Sequence, residues 1–324
     1  MDLSTPIRLP RAPGPGQSQR RIVVGGGSSP IGKAVLRTAQ SQGRTTVGTY
    51  CRKEAAGLVP LDLVTGDIGA LGLTAADAVL LLAGHSDLNW VYENPDAARA
   101  LNVDGVLRAA NAAVACGARV IVLSTELVFD GVRGAYAETD PTDPGTLYGR
   151  QMVEAEEAIR GLSGSWAVAR TGWNVGWEKD PRCGVFMTYK TLLQRGARMA
   201  EDHVFTLTDV NETALALLAL ADSQECGVWH IAGAPALSRS DLADWVVETS
   251  RHRGKMHYER VRFAELPYPE PRPERSWIVN HKAVQKLQLT FAEPWRTVER
   301  KVALIDQWYD ERQARLETTA RLQP

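Results

Sequence analysis

Near the start of the chain a short apolar run ends in glycines, and a helical pattern opens directly behind it. The segment reads Arg21-Ile22-Val23-Val24-Gly25-Gly26-Gly27-Ser28-Ser29-Pro30-Ile31-Gly32. Glycines permit a tight turn and close approach of a ligand to the backbone. The N-terminus of the following helix favours an anionic pyrophosphate. Gly26 and Gly32 fit the ends of a GxxGxxG spacing, with Ser29 in the middle position. A Cβ there narrows the space for a pyrophosphate without closing it. The bland alternative is a plain strand-to-helix turn. Its place after the first strand of an alternating chain favours a dinucleotide loop, with Gly26, Ser28, Ser29, Ile31 and Gly32 around the cofactor.

The alternation continues. Helical spacing over Pro30 to Gln42, Pro95 to Cys116 and Tyr148 to Arg160 is interleaved with apolar runs. Those runs are Thr45 to Tyr50, Ala78 to Leu82, Val120 to Leu123 and Trp166 to Arg170. Short strands apolar on both faces, separated by helices, predict a doubly wound parallel α/β sheet of Rossmann type. Residues 1–20 carry Pro6, Pro10, Pro13 and Pro15 and read as a flexible tail. The dinucleotide domain is expected over 21–172. A smaller, partly discontinuous C-terminal α/β substrate domain is expected over 173–324, with about 204–225 returning to the first. Regularity weakens after Thr171, where prolines and tryptophans suit a lid over a substrate pocket. Thr297 to Ala314 reads as a final amphipathic helix.

Composition narrows the function. Hydrophobic residues at 44% and charged residues at 23% exclude a mostly disordered chain. With 37 basic and 38 acidic residues, no global field attracts nucleic acid or an anionic membrane. Cys51, Cys116, Cys183 and Cys226 form no CxxC pair, so a reducing compartment and no zinc site are expected. No His, Asp and Glu cluster has metal spacing. No apolar stretch approaches the ~20 residues of a membrane span, and no hydrophobic export segment follows the first charges. Cytoplasm is the expected location.

The second strand ends Thr49-Tyr50-Cys51-Arg52-Lys53. A NAD site usually places an acid there, on the ribose diol. Arg52 would instead suit a 2′-phosphate, so NADP (as NADPH) is the expected cofactor and NAD the alternative. A solvated loop is the bland reading. Asp62 is expected beside the adenine amino group. Ser124 and Thr125 follow a buried strand at the end where open α/β sheets bind ligands. Tyr148 opens a later helix and could donate a proton to a carbonyl. Strand-end capping is the bland reading of the hydroxyl pair. His203 and His230 read as structural, and Glu154, Glu156 and Glu157 as a solvated helix face.

The string STELVFDGVRGAYAETDPTDPGTLYGRQMVEAE, from Ser124 to Glu156, resembles the catalytic stretch of the extended short-chain dehydrogenases, most closely the dTDP-4-dehydrorhamnose reductases. LAGHSDLNWVYENPDAARALNVDG and RTGWNVG resemble their upstream helix and their strand into the sugar pocket. The likeness covers roughly Ile22 to Asp306. It implies reduction of a nucleotide-linked 4-keto-6-deoxy sugar. Thr125, with Ser124, would bond the keto oxygen, Tyr148 would donate its proton, and a nicotinamide would deliver hydride. By the same resemblance Ala83, Gly84 and His85 lie near the cofactor and Asn102 supports the site. Ser86, Glu126 and Trp173 match substrate-side positions. Packing is the alternative for Trp173 and Trp177. A homodimer is left open as the assembly.

The family motif is YxxxK, and here the fourth residue after Tyr148 is Met152. Positions i and i+4 share a helix face, so the lysine normally stands beside the tyrosine. Its charge favours phenolate; such a neighbour is commonly worth about 1–3 pKa units. A thioether supplies no charge. Three readings stay open. The chain remains a reductase that has replaced its lysine. Or it binds cofactor or sugar nucleotide as a regulatory protein, as the regulatory subunit of methionine adenosyltransferase resembles the same family. Or Met152 is an introduced change that silences an intact site. Glu126 stands where the reductases usually carry Asp. Asp202-His203 and Leu207 also depart from the family, on the substrate side.

Overall fold

The structure, a computed structural model, describes residues 19–176 and 184–321. Trp177, Cys183 and the leader through residue 18 fall outside those residues. Six strands carry the alternation: β1 (Arg21–Gly25), β2 (Thr46–Tyr50), β3 (Val59–Pro60), β4 (Asp77–Leu81), β5 (Arg119–Thr125) and β6 (Trp166–Thr171). Beyond them lie β7 (Trp173–Val175), β8 (Arg198–Ala200), β9 (Val204–Phe205), β10 (Leu207–Asp209), β11 (Gly227–Ile231), β12 (Leu237–Ser238) and β13 (Glu259–Val261). One parallel sheet has the order β11-β6-β5-β4-β1-β2-β3. Val24 lies between Gly48 of β2 and Leu80 of β4. The order therefore reverses beside β1, which opens a crevice at the carboxyl ends of the strands.

Helices cover both faces, which is why the strands are apolar throughout. On one face α1 (Pro30–Ser41) lies beside α7 (Val210–Asp222), with α9 (His281–Leu287) next to them. On the other lie α4 (Val106–Ala115) and α5 (Leu147–Arg160). The chain thus comes back to this sheet for longer than the 204–225 expected. β11 pairs with β6, and Ala283 of α9 joins the same core. A second core unites α6 (Gly184–Leu192), α8 (Arg239–Thr249) and α10 (Pro294–Arg321), with Phe186, Leu242 and Val302 at its centre. Three two-stranded pairs, β7 with β10, β8 with β13 and β9 with β12, frame it.

Edge strand β11 has its outer backbone groups taken by side chains. Lys282 Nζ donates to the Val228 carbonyl at 2.6 Å, and the His230 amide donates to Glu138 at 3.0 Å. Just past the strand, Asn280 donates to the Ala232 carbonyl at 2.7 Å.

One local reading is refined and another changes. The helical run from Pro95 is continuous to Ala115 but carries a π-helical turn: after α2 (Leu88–Glu93) come α3 (Pro95–Arg99), the π-helical turn (Ala100–Gly105) and α4 without a break. The acidic run 154–157 is not uniformly solvated. Glu156 is buried and ion-paired to Arg170 of β6, with contacts at 2.8 and 2.6 Å. It stands two turns along α5 from Tyr148, on the same side as Met152, so the core side of the helix carries all three.

Breaking a buried ion pair from one side leaves an uncompensated charge, which costs about 3–5 kcal/mol. Arg170→Met should lower the unfolding free energy by that order in urea titration. Adding Glu156→Leu should restore much of the loss.

Candidate active site

The glycine loop sits at the switch point of the sheet. Gly26 has a φ of +90°, and a Cβ there would lie 2.7 Å from the Ala83 nitrogen. Gly32 is packed on the loop itself: its Cβ would stand 2.3 Å from the Gly26 carbonyl oxygen. Only glycine fits either position, and the result is a bare backbone cradle at the start of α1. Ser29 is the N-cap of α1, its hydroxyl accepting the Gly32 amide at 3.0 Å. The serine in the motif's middle position thus satisfies one helix-start donor itself. Ser28 lies on the same loop and Ile31 in the first turn of α1, both half-buried. Arg52 and Lys53 are exposed just past β2. Asp62 accepts the Val64 amide at 2.8 Å, so part of its carboxylate is engaged in a local turn.

The loop after β4 faces this cradle. Ala83, Gly84, His85 and Ser86 lead toward α2, and the His85 ring stacks on Trp90 at 3.7 Å. Burial, and then the Arg52 charge, push the His85 pKa down. Arg52 and His85 therefore feel each other across the cradle. Asn102, carried by the π-helical turn, holds the loop from behind. It accepts the His85 amide at 2.7 Å and donates to the His85 carbonyl at 3.1 Å. It also donates to Gln151 of α5 at 3.0 Å. π-Helical turns recur at functional sites because they re-aim one side chain; here that side chain ties the β4 loop to α5.

Ser124 and Thr125 end β5. The Ser124 hydroxyl donates to Glu156 at 2.6 Å, inside the buried ion pair. Thr125 caps the short 3-10 turn Glu126–Val128, accepting the Leu127 amide at 3.2 Å. Its hydroxyl also lies 3.2 Å from Glu126 Oε2. Tyr148 is in the first turn of α5, whose start is fixed twice. Thr146 accepts the Gly149 amide at 3.0 Å, and Glu270 accepts the Leu147 amide at 2.8 Å.

Met152 is 6% exposed in an apolar cluster with Tyr148, Val91, Ala98 and Phe129. Burial, and secondarily Glu126, push the Tyr148 phenol well above its ordinary value. Among the described residues no cation acts on it. Glu126 is 3% exposed, and burial pushes its carboxyl up to about 7. Arg150 is exposed and donates to the Gly145 carbonyl at 3.1 Å, so it does not replace the lysine.

A second group of cations was not singled out in the sequence. The Arg239 guanidinium stacks on Trp173 at 4.2 Å, and that of Arg272 on Tyr268 at 3.9 Å. Arg272 also donates to Asn89 of α2 at 2.6 Å, which places it over the crevice. Burial lowers the pKa of both, and the Arg272 charge lowers that of Arg239 further. Among the described residues Arg239 has no carboxylate partner. Two half-buried guanidinium groups side by side suit an anion. His203 stacks on Phe263 at 4.2 Å, and burial pushes its pKa down to about 3, so it is a neutral packing residue.

The family model described as the RmlD substrate binding domain matches residues 20–305. The chain belongs to that family. A dTDP-4-dehydrorhamnose reductase of Mycobacterium tuberculosis is 29% identical over 272 residues, 81% of this chain and 85% of that protein. Methionine adenosyltransferase 2 subunit beta of Bos taurus is 31% identical over 144 residues, 43% of this chain and 42% of that one. A dTDP-4-dehydrorhamnose reductase from Bacillus anthracis, crystallised with NADP, has the same fold. Its TM-score is 0.75 at 17% identity, with 89% of this chain and 99% of that one covered.

A carboxyl whose folded pKa is raised binds more protons folded than unfolded between the two values. Its contribution to stability is present below the unfolded pKa and is lost as pH rises through the folded one. For Glu126 that window runs from 4.5 to about 7. Glu126→Gln should gain stability relative to the wild type across it, by about 3 kcal/mol in full. Paired urea titrations at pH 5 and pH 8 measure the difference.

Proposed function

We propose that the chain is an NADP-dependent reductase of a nucleotide-linked 4-keto-6-deoxy sugar, similar to the dTDP-4-dehydrorhamnose reductases. The observation that carries this reading is the convergence of three features on one crevice. The glycine cradle, the Thr125 hydroxyl and Tyr148 all meet at the carboxyl end of the sheet.

The cradle fits a dinucleotide, since the positions nearest a pyrophosphate admit no side chain. Gly26, Ser28, Ser29, Ile31 and Gly32 would line it, with Ala83, Gly84 and His85 opposite. Arg52 would hold the 2′-phosphate, and Asp62 would meet the adenine. The bound cofactor supplies hydride. On the protein side, Thr125 orients the keto oxygen and Tyr148 holds the proton that this oxygen receives. Ser124 acts from behind, because its hydroxyl belongs to Glu156. Trp173, Arg239 and Arg272 receive the sugar nucleotide, the two guanidinium groups facing its diphosphate. Ser86 stands at the entrance, exposed.

Met152 favours a second reading, a catalytically impaired relative that binds NADP or sugar nucleotide and regulates a partner. It removes the ribose contact and the charge beside Tyr148 together.

NADPH oxidation with a dTDP-4-keto-6-deoxy sugar separates the two. Turnover by the chain, abolished by Tyr148→Phe with NADPH binding retained, is the expected result. Binding without turnover would favour the regulatory reading. Arg52→Ala should weaken NADPH binding by about tenfold or more and leave NADH nearly unchanged, since one charge-assisted contact of about 1.5–3 kcal/mol is lost. Equal losses for both cofactors would sink the NADP assignment.

A further inference from the structure

A reductase that uses Tyr148 must dispose of the charge the phenol acquires when it gives up its proton. A lysine at position 152 would stabilise that phenolate; Met152 carries no charge. The phenol is enclosed in an apolar cluster, and the one charged group acting on it among the described residues, Glu126, is of the wrong sign. Tyr148 can serve as an acid in this setting only if it is reprotonated as it donates.

Glu126 is placed to do that. It opens the 3-10 turn after β5, and the first turn of α5 rests directly on that turn. A Cβ on Gly149 would lie 2.2 Å from the Leu127 carbonyl oxygen. Gly149 follows Tyr148 and Leu127 follows Glu126, so this backbone contact makes the two residues neighbours, and the Glu126 charge acts on the phenol. The Glu126 carboxyl is buried, and Thr125 Oγ1 lies 3.2 Å from its Oε2. With its pKa raised to about 7, it carries a proton in a large share of molecules at neutral pH.

Among the described residues the other charged groups near by are committed elsewhere. Glu156 of α5 and Arg170 of β6 hold each other. Glu270 accepts the Leu147 amide, and Arg150 faces solvent. Tyr148 is the titratable neighbour that faces Glu126 from α5.

The geometry points to Glu126 as the proton reservoir of this site, refilling Tyr148 as the phenol donates. The assignment rests on the reductase reading. As the keto carbon takes up hydride from a reduced nicotinamide, the π pair of the C=O bond takes the Tyr148 proton and becomes an O–H bond. The electron pair left on the tyrosine oxygen takes a proton from Glu126, with the Thr125 hydroxyl as the group able to carry it across. The Glu126 O–H bond breaks, and the carboxylate recovers a proton from water. The substrate gains one hydride and one proton, the nicotinamide is oxidised, and no phenolate is left in the apolar pocket. Glu126 works through Tyr148 and is a positioning residue. Met152 and Glu126, the two departures at the heart of the motif, then belong together: the carboxylic acid supplies by proton transfer what the lysine supplies by charge.

The test measures kcat and KM for reduction of a dTDP-4-keto-6-deoxy sugar from pH 5 to 9 in four proteins. These are the wild type, Glu126→Gln, Met152→Lys and the double variant. NADPH affinity and the infrared carboxylic-acid band are recorded alongside. The wild-type rate should fall above about pH 7, where Glu126 ionises. Glu126→Gln should lose about 10²-fold in kcat, keep its KM and NADPH affinity, and lose the pH break. Adding Met152→Lys should restore the rate. Of the infrared carboxylic-acid intensity titrating near neutral pH, the Glu126 part should disappear in Glu126→Gln, leaving that of Glu212. Unchanged rate and profile in Glu126→Gln, or no such loss of intensity, would overturn the assignment. Turnover by Met152→Lys but not by the wild type would overturn it while leaving the substrate class standing. Turnover by none of the four, with NADPH still bound, would remove the reductase reading and the reservoir with it.

Discussion

The carboxylate of Glu156 anchors the working end of this molecule. It receives Arg170 from β6 and the Ser124 hydroxyl from β5, so one buried side chain fastens α5 to two adjacent strands. Tyr148 and Met152 occupy the same side of that helix, nearer its start. Their position over the crevice follows from how α5 is pinned further along. At the other end of the helix, Thr146 and Glu270 fix the first turn, and Glu270 comes from the C-terminal part of the chain. The helix that presents the phenol is thus gripped by the sheet and by the lid together.

Around that phenol the electrostatics are spare. Satisfied pairs lie beneath it, an apolar cluster lies beside it, and two guanidinium groups stand out over the crevice on their aromatic platforms. Among the described residues the positive charge stands over the crevice and is absent beside the Tyr148 hydroxyl. This division makes position 152 decisive, because an apolar pocket neither tolerates a phenolate nor shares charge with its neighbours.

The sheet was legible because its strands are apolar on both faces and its glycines sit where the backbone turns. The candidate site was proposed from continuous segments: the loop at Gly26, the strand end at Thr125, the helix start at Tyr148. What was missed depends on tertiary contact. The π-helical turn inside the Pro95 to Cys116 helix shows only once Asn102 has the His85 backbone to bond. Arg239 and Arg272 meet from segments of irregular pattern, where spacing carries little information. Glu156 left a signal that was passed over: the 148, 152, 156 spacing sets it on the buried side with Tyr148. An arginine ending the apolar strand β6 marks the partner it needs.

The sealed edge at β11 bears on how copies of this protein can associate. A free sheet edge is a template for another strand. At this edge Lys282, Glu138 and Asn280 already occupy backbone groups that an incoming strand would seek. The far edge, β3, is only two residues long. Neither rim of the seven-stranded sheet offers a ladder to extend, so an assembly is not made by continuing that sheet. The same closure protects a sheet rich in valine, isoleucine and leucine from the runaway stacking that such strands invite.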